Sequence, residues 1–324
     1  MKLRKKICIA VGLIALAACE SASTAGDPAF SDADEARRTF AADSGNVDAA
    51  FDAGEVLSSR AGTATGIQLR FNGGSTNLAD AEVSVSKNAD GELTATLNGE
   101  SREFEVTDRL IEPNGDSFGY TFTAADGASF NLFHFGGTLE ELIESDDFGT
   151  IVSVGADLGP ENDTLFNRAF AAIGTETTDA ALGELDQSVT FTGNGRLDLY
   201  PTENFIDTGT SRSRLRGDTV FTADFAAGEI SGTMSDLTLQ MAGASDRDDI
   251  AGQIDFATAG FSANTFSGDV SGTSDLATAG VTLNDDVSYN GAFFGPNAEE
   301  VHGVINGTGS LNGEAFNTIG YFTQ

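Results

Sequence analysis

Residues 290–303 read NGAFFGPNAEEVHG and form the most distinctive stretch of the chain. The dipeptide Gly295-Pro296 predicts a turn, because glycine accepts positive φ and proline presets the φ of a turn position. The pair Phe293-Phe294 before it is expected to pack, and Glu300 after it is expected to cap backbone donors. We therefore interpret this stretch as architecture and not as a binding site.

Beyond residue 50, apolar and polar residues alternate with the period of two that is typical of β-strands. Turn pairs such as Asp90-Gly91 and Asn98-Gly99 favour hairpins between these runs. The second half contains about eight such runs, which suggests a closed barrel or a sandwich. Residues 130–135 are largely apolar on both faces and predict an inner strand, whereas residues 138–144 predict a short helix. The predicted fold class is all-β.

The stretch at residues 290–303 resembles the G-x-F-[YF]-G-P-x-A-x-E-x-G-G signature of the β-barrel domain of transferrin-binding protein B and its relatives among surface lipoproteins. Residues 221–232 are similar to the family's A-D-F-x-x-G-x-[VI]-S-G stretch, and residues 261–268 resemble its N-x-F-x-G strand. Two departures occur: His302 stands where the family usually has the first glycine of a pair, and Phe294 replaces the commoner tyrosine. The signature positions, which we interpret as structural, are Gly291, Phe293, Phe294, Gly295, Pro296, Ala298, Glu300 and Gly303.

The resemblance implies a lobe made of an antiparallel handle domain followed by an eight-stranded β-barrel. The length allows one lobe, as in the relatives that bind haemoglobin, haem or complement regulators. The expected division of the chain is a signal peptide at 1–18, a flexible tether at 19–50, a β-rich handle at 51–169 and the barrel at 170–324.

The first nineteen residues have the order of an export signal, with a basic head followed by the apolar run 7–18. This run is shorter than the roughly 20 residues of a membrane-spanning helix. Leu16-Ala17-Ala18-Cys19 resembles the lipobox of bacterial lipoproteins, which implies acylation of Cys19 and, with Glu20 next, the outer membrane. The alternative is an ordinary secretory signal in which the cysteine is incidental.

Removal of residues 1–18 leaves 13 of the 17 basic residues against 50 acidic ones. Such a negative field repels nucleic acid and anionic lipid headgroups, so we expect no nucleic-acid partner. It suits a cationic partner, or it serves only to keep a surface protein soluble. The folded part has neither disulfide nor thiol, because Cys8 lies in the signal and Cys19 is the lipidation site.

The chain carries none of the usual hydrolase, metalloprotease or nucleotide-binding motifs, so we predict no enzymatic activity, no cofactor and no metal. His134 is expected to be a packed strand residue, and a haem-binding role would require His134 or His302 in an open apolar cleft. The acidic segments 246–249 and 284–286 are interpreted as solvated turns, with calcium binding as the alternative.

Arg212, Arg214 and Arg216 alternate and would share one face of a strand. They are the candidate binding residues for an acidic partner. The alternative is that they balance internal charge with one of three nearby aspartates, namely Asp198, Asp207 or Asp218.

Taken with the resemblance, these features predict a surface-exposed outer-membrane lipoprotein that binds an extracellular protein or haem ligand for iron acquisition. The membrane, through the lipid anchor, and a TonB-dependent receptor are the other candidate partners. Two alternatives remain open. One is a structural or adhesive envelope lipoprotein. The other is a periplasmic carrier with a small ligand inside the barrel, because an eight-stranded barrel can either be filled by side chains or hold one small ligand.

Overall fold

The computed structural model describes residues 56–58, 63–70, 75–87, 93–104, 109–111, 117–123, 129–135, 148–157, 165–203, 212–261 and 263–324. The predicted signal peptide, Cys19, the tether and the predicted helix at 138–144 lie outside these residues. The described residues form 21 strands and two short helices, which confirms the all-β prediction. Neither helix is long and apolar enough to span a membrane.

The handle, defined here as the described residues from 56 to 174, consists of two antiparallel sheets. Its strands are β1 (Val56–Ser58), β2 (Ala64–Arg70), β3 (Ser75–Ala79), β4 (Val83–Lys87), β5 (Leu93–Leu97), β6 (Glu100–Phe104), β7 (Arg109–Ile111), β8 (Ser117–Thr123), β9 (Ser129–Phe135), β10 (Gly149–Asp157) and β11 (Leu165–Gly174). One sheet has the order β1-β4-β5-β6 and the other β3-β2-β11-β10-β9-β8-β7. Strand β9 pairs on both sides, which confirms the prediction of an inner strand at residues 130–135.

The two handle sheets pack face to face, because each strand directs alternate apolar side chains to the shared side. Val85 and Ala95 of the smaller sheet and Leu132, Val152 and Val154 of the larger one are fully buried in this core. The opposite side of the larger sheet is also apolar along β10 and β11, since Ile151 and Phe170 are buried there in a separate cluster. The larger sheet is therefore covered on both faces.

The C-terminal part of the chain folds into a closed antiparallel β-barrel. Its elements are α1 (Asp179–Leu182), β12 (Ser188–Pro201), β13 (Ser213–Asp224), β14 (Glu229–Gln240), β15 (Asp248–Asp249), β16 (Ile254–Gly260), β17 (Thr265–Gly272), α2 (Ser274–Thr278), β18 (Val281–Leu283), β19 (Ser288–Phe294), β20 (Glu300–Leu311) and β21 (Glu314–Thr323). Eight strands follow the order β13-β12-β21-β20-β19-β17-β16-β14, and the pairing of β14 with β13 closes the ring. Short β15 and β18 pair with β14 and β20.

The barrel interior is filled by aromatic side chains over its middle. The ring centroid of Phe221 lies 4.6 Å from that of Phe322 and 4.7 Å from that of Phe256. Tyr289 meets Phe256 edge-on at 5.3 Å, and its hydroxyl donates to the backbone carbonyl of Ala257 at 2.6 Å. Tilted and edge-on pairs at these separations are the favoured aromatic arrangements. This packing argues against a small ligand at this level of the barrel.

A third apolar cluster joins the handle to the outer wall of the barrel. Phe170 of β11 and Tyr321 of β21 meet edge-on with ring centroids 5.2 Å apart. Tyr200 of β12 is fully buried in the same cluster. At its margin, the Asn317 amide donates to the backbone carbonyl of Thr76 at 2.9 Å. Outward-facing barrel residues are consequently buried wherever the handle covers them.

The junction between the two parts lies after strand β11. This strand pairs with β10 from Phe166 through Gly174 and with β2 as far as Ala171. The expected boundary between residues 169 and 170 therefore falls inside a handle strand. We propose that the boundary lies in the segment between Gly174 and Ser188, where the first barrel strand begins.

Candidate binding site: an arginine groove on the barrel wall

A buried ion pair lies on the outer wall of the barrel beneath the handle. Alternation along β12 places Leu197 and Leu199 in the barrel core and Arg196, Asp198 and Tyr200 on the outside. Asp198 has no exposed surface and Arg196 has 5%. The Arg196 guanidinium donates from Nε to Oδ1 of Asp198 at 2.7 Å and from Nη2 to Oδ2 at 2.8 Å. This is a bidentate pair, the strong form of an arginine–carboxylate contact.

Two of the three arginines predicted to bind a partner turn towards the same carboxylate. Arg212 Nε lies 2.9 Å from Oδ2 of Asp198, outside the angular range of a hydrogen bond, and its guanidinium lies 5.9 Å from the centre of the Tyr200 ring. Arg214 Nε lies 3.9 Å from Oδ1 of Asp198, and its Nη1 donates to Gln240 at 3.4 Å. For Arg212 and Arg214, these contacts match the alternative of internal charge balance.

The surrounding charges set the protonation of this cluster. Burial alone would raise the pKa of Asp198, but the charges of Arg196, Arg212 and Arg168 outweigh it and hold the pKa well below its ordinary value. Burial, together with the charges of Arg212 and Arg196, lowers the pKa of Arg214 to about 10. One carboxylate thus stands among several guanidinium groups, and the cluster keeps an excess of positive charge.

Arg216 differs from Arg212 and Arg214. It lies directly opposite Arg196 in the pairing of β12 with β13, and like charges in directly opposed positions repel. Among the residues that the structure describes, it forms no ion pair, and its buried Nε finds no hydrogen-bond acceptor. Burial, followed by the charges of Arg196 and Arg247, lowers the pKa of the Arg216 guanidinium.

Arg216 faces a groove of about 570 Å³ on the outer wall, formed by β12, β13, β14 and β21. We call it the arginine groove. Thr238 of β14 lies directly opposite Arg216, and Tyr321 of β21 lies directly opposite Arg196. Other lining residues are Asn194, Asp218, Asp236, Arg247 and Thr323. The groove thus combines three guanidinium groups with neutral polar side chains and two aspartates.

The signature pair Phe293-Phe294 divides between two cores. Phe293 points into the barrel, where its ring centroid lies 5.0 Å from that of Phe261 and 5.2 Å from that of Phe266. Phe294 points outward into the junction with the handle. Both side chains are fully buried. The pair therefore packs, with each ring in a different core.

The signature glycines leave room for rings inside the barrel. A Cβ atom on Gly303 would lie 2.2 Å from Cζ of Phe322 and 2.3 Å from the carbonyl oxygen of Asn290. One on Gly291 would lie 2.5 Å from Cζ of Phe266. These distances are shorter than real contacts of a Cβ atom, so any side chain here would force the rings to move.

The turn after Phe294 ties the barrel to the segment that follows β11. Gly295 has a φ of +87°, its N–H donates to the Thr175 carbonyl at 2.9 Å, and its own carbonyl accepts from the Thr177 hydroxyl at 2.7 Å. Ala298 has a φ of +58° and is fully buried. Pro296 lies between them in the turn. The turn is therefore part of the junction.

Glu300 connects the barrel to the start of β10. Its carboxylate accepts from the N–H of Phe148 at 2.9 Å and from that of Gly149 at 2.8 Å. His302 Nε2 lies 3.0 Å from the same carboxylate, while its Nδ1 lies 2.8 Å from the Thr323 hydroxyl. Both nitrogens of this buried histidine are engaged, so His302 has no free nitrogen for a haem iron. His134 lies in β9, and its side chain is outside the described part of the structure.

Of the two acidic segments considered for calcium, residues 284–286 lie at a turn, whereas residues 246–249 run into the short strand β15. Asp286 accepts hydrogen bonds from the backbone and the hydroxyl of Thr308 at 3.1 and 2.9 Å. Residues 246–249 are exposed. Within the described ranges, no group of three or more histidine, cysteine, aspartate or glutamate side chains is placed to hold a metal ion.

Comparison with known proteins shows which protein family the barrel resembles. Residues 184–323 match the family of the C-lobe and N-lobe beta barrels of Tf-binding protein B. The barrel is transferrin-binding protein B-like. The matched residues begin within the segment where we propose the boundary, and they include the closed ring and the signature stretch. No curated protein matches the chain.

Two solved structures of transferrin-binding protein B align with parts of this chain. For the Tyr-167-Ala and Trp-176-Ala double mutant from Haemophilus parasuis Hp5, the identity is 16% and the TM-score 0.40, over 81% of this chain and 45% of the other. For intact Ap transferrin-binding protein B, with N and C lobes, the values are 16% and 0.36, over 75% and 52%. The chain thus spans about half the length of these transferrin-binding proteins.

Several residues of the transferrin-binding protein B-like barrel that matter here were not predicted from the sequence. Asp198 was named only as one of three possible charge partners, and Arg247 and Tyr321 were not singled out as parts of a site. Arg247 lies in the acidic segment that was interpreted as a solvated turn. The strand register that brings Tyr321 beside Arg196 joins positions more than 120 residues apart. The alternating charged residues at 196, 198, 212, 214 and 216 were the sequence signal from which this cluster could have been predicted.

Proposed function

We propose that this chain is a lipid-anchored surface protein of a bacterial outer membrane that binds an extracellular protein and catalyses no reaction. The match of residues 184–323 to the barrels of Tf-binding protein B carries the proposal. The order of the first nineteen residues, ending in the lipobox-like Leu16-Ala17-Ala18-Cys19, supports the anchor. Acyl chains on this cysteine would hold the protein stably, because two or more chains are needed for a lasting membrane attachment.

A protein ligand suits the molecule better than a small ligand inside the barrel. The rings of Phe221, Phe256, Tyr289 and Phe322 fill the middle of the interior. Recognition would then use the outer surface. Haem bound through a histidine would have to use His134, because Glu300 and Thr323 engage both nitrogens of His302. Delivery of iron to a TonB-dependent receptor is the role that we propose for such capture.

Metabolic labelling with a radioactive fatty acid tests the anchor. We expect the wild-type protein to incorporate label and to sediment with outer membranes, whereas Cys19→Ala incorporates none. A matched Cys8→Ala variant should keep both properties, since that cysteine lies in the segment that is removed. Labelling of Cys19→Ala, or its sedimentation with outer membranes at wild-type levels, would contradict the proposed anchor.

Pull-down with the purified mature protein tests the ligand class. Transferrin, the ligand in the names of the similar solved proteins, and haemoglobin are the first two probes, with haem alone as the third. We expect saturable binding of a protein probe. Binding of haem alone, without either protein, would contradict the protein-ligand proposal.

A further inference from the structure

We propose that the arginine groove binds a carboxylate group, with Arg216 as its principal contact. The proposed capture of an extracellular protein does not assign a ligand to this groove. Binding to the groove can be tested with small probes, without the captured protein. Arg216 lies opposite Arg196, and no ion pair with a described carboxylate compensates its charge.

The charges of the cluster are unevenly distributed. Asp198 is engaged by Arg196 in both hydrogen bonds of a bidentate pair, and Arg212 and Arg214 lie at 2.9 and 3.9 Å from it. Arg216 lies directly opposite Arg196 and forms no ion pair with a carboxylate of the described residues. Its guanidinium is half-buried and its Nε lacks an acceptor. A half-buried charge with an unsatisfied donor is costly, and an external anion would relieve this cost.

The groove has the shape and the polar lining that such a ligand requires. Arg247 lies on its exposed side and adds a second cation, while Thr238 and Asn194 offer neutral hydrogen-bonding groups. A guanidinium presents planar, paired donors that match the two oxygens of a carboxylate. At about 570 Å³ the groove falls within the size range of small-ligand sites.

The aspartates of the groove select among anions. Asp218 and Asp236 are exposed and line the same groove. A carboxylate can turn both of its charged oxygens to one guanidinium, whereas the further charged oxygens of a phosphate would face these two aspartates and be repelled. We therefore assign the groove to carboxylates, borne either by a small acid or by acidic side chains of a protein.

Titration calorimetry of the mature protein at about 0.15 M salt, where the overall negative charge of the protein is screened, tests the assignment with three probes: acetate, a capped peptide that contains one glutamate, and inorganic phosphate. We expect a carboxylate probe to bind more tightly than phosphate, and Arg216→Gln to raise its Kd by about tenfold or more. Arg216→Lys keeps the charge but loses the paired donors and should give an intermediate value. Stronger binding of acetate indicates a small acid, and stronger binding of the glutamate peptide indicates an acidic protein segment.

Arg102→Gln is the matched control, because Arg102 is a half-buried arginine of handle strand β6, outside the groove. It should leave the affinity unchanged. Arg216→Gln should unfold at or above the wild-type temperature, since it removes a repelled charge, so loss of binding cannot be ascribed to misfolding. Absence of carboxylate binding, tighter binding of phosphate, or equal affinities of wild type and Arg216→Gln would overturn the proposal.

Discussion

The carboxylate of Glu300, on barrel strand β20, accepts a hydrogen bond of 2.8 Å from the backbone N–H of Gly149, at the start of handle strand β10. The neighbouring N–H of Phe148 donates to the same carboxylate at 2.9 Å. One side chain thus satisfies two buried backbone donors, which would otherwise cost free energy. This contact couples the handle to the barrel through a signature residue.

Replacement of Glu300 by alanine should weaken that junction. The change leaves the N–H groups of Phe148 and Gly149 without their acceptor, and we expect the free energy of unfolding to fall by about 2 kcal/mol or more. Urea denaturation measures this change in the free energy of unfolding. Glu314→Ala, at an exposed position of β21, is the control and should change the stability little. Equal stabilities of the two variants would show that the contact does not hold the junction.

Loss of the Asp198 charge should lower the free energy of unfolding more than the Glu300 substitution does. In Asp198→Asn the buried Arg196 keeps its charge but loses its counter-ion, and breaking a buried pair in this way costs about 3–5 kcal/mol. Denaturation at neutral pH measures the loss, with exposed Asp186→Asn as the control. A loss no larger than that of the control would contradict the account of the buried cluster.

The same pair predicts a pH dependence. Because the pKa of Asp198 is lowered in the folded protein, its contribution is fully present above the ordinary aspartate pKa of about 3.9 and is lost as the pH falls below that value. The stability difference between wild type and Asp198→Asn should therefore be constant from pH 7 to about 5 and shrink in more acidic solution. A difference that shrinks already near neutral pH would disprove the lowered pKa.

A side chain at Gly303 should disturb the barrel core. The Cβ atom of Gly303→Ala would meet the ring of Phe322 and the carbonyl of Asn290, and overpacking of this kind costs about 1–3 kcal/mol. Gly260→Ala is the control, since its Cβ would lie 3.8 Å from its nearest neighbour, the Gly228 carbonyl oxygen. Thermal unfolding should separate the two variants, and identical midpoints would contradict the assigned role of Gly303.

The strands of the barrel could be predicted because their pattern is local. Alternation at Phe221, Ala223 and Phe225 indicates a strand with one buried face, and Phe221 and Ala223 lie in the barrel core as part of β13. The signature also indicated that Phe293-Phe294 would pack. It did not indicate that the two rings enter different cores, because that depends on the handle that covers the outer wall.

The candidate site could be predicted only in part. The spacing of Arg212, Arg214 and Arg216 indicated a shared face, but not which of them would be neutralised. That outcome depends on the register of β12 against β13, which sets Asp198 beside Arg214 and Arg196 beside Arg216. The period-two pattern would also place Asp198 on the solvent side of a barrel. Its complete burial results from the packing of the handle, a long-range event with no local signal.

Protease treatment of intact cells that carry the protein, followed by immunoblotting for the barrel, tests the central claim most directly. A periplasmic protein serves as the protected control, and lysed cells show that the protease can cleave the chain. For a surface-anchored binding protein, we predict loss of the barrel band from intact cells while the periplasmic control persists. Full protection in intact cells, with loss only after lysis, would contradict surface display and the capture of an extracellular protein.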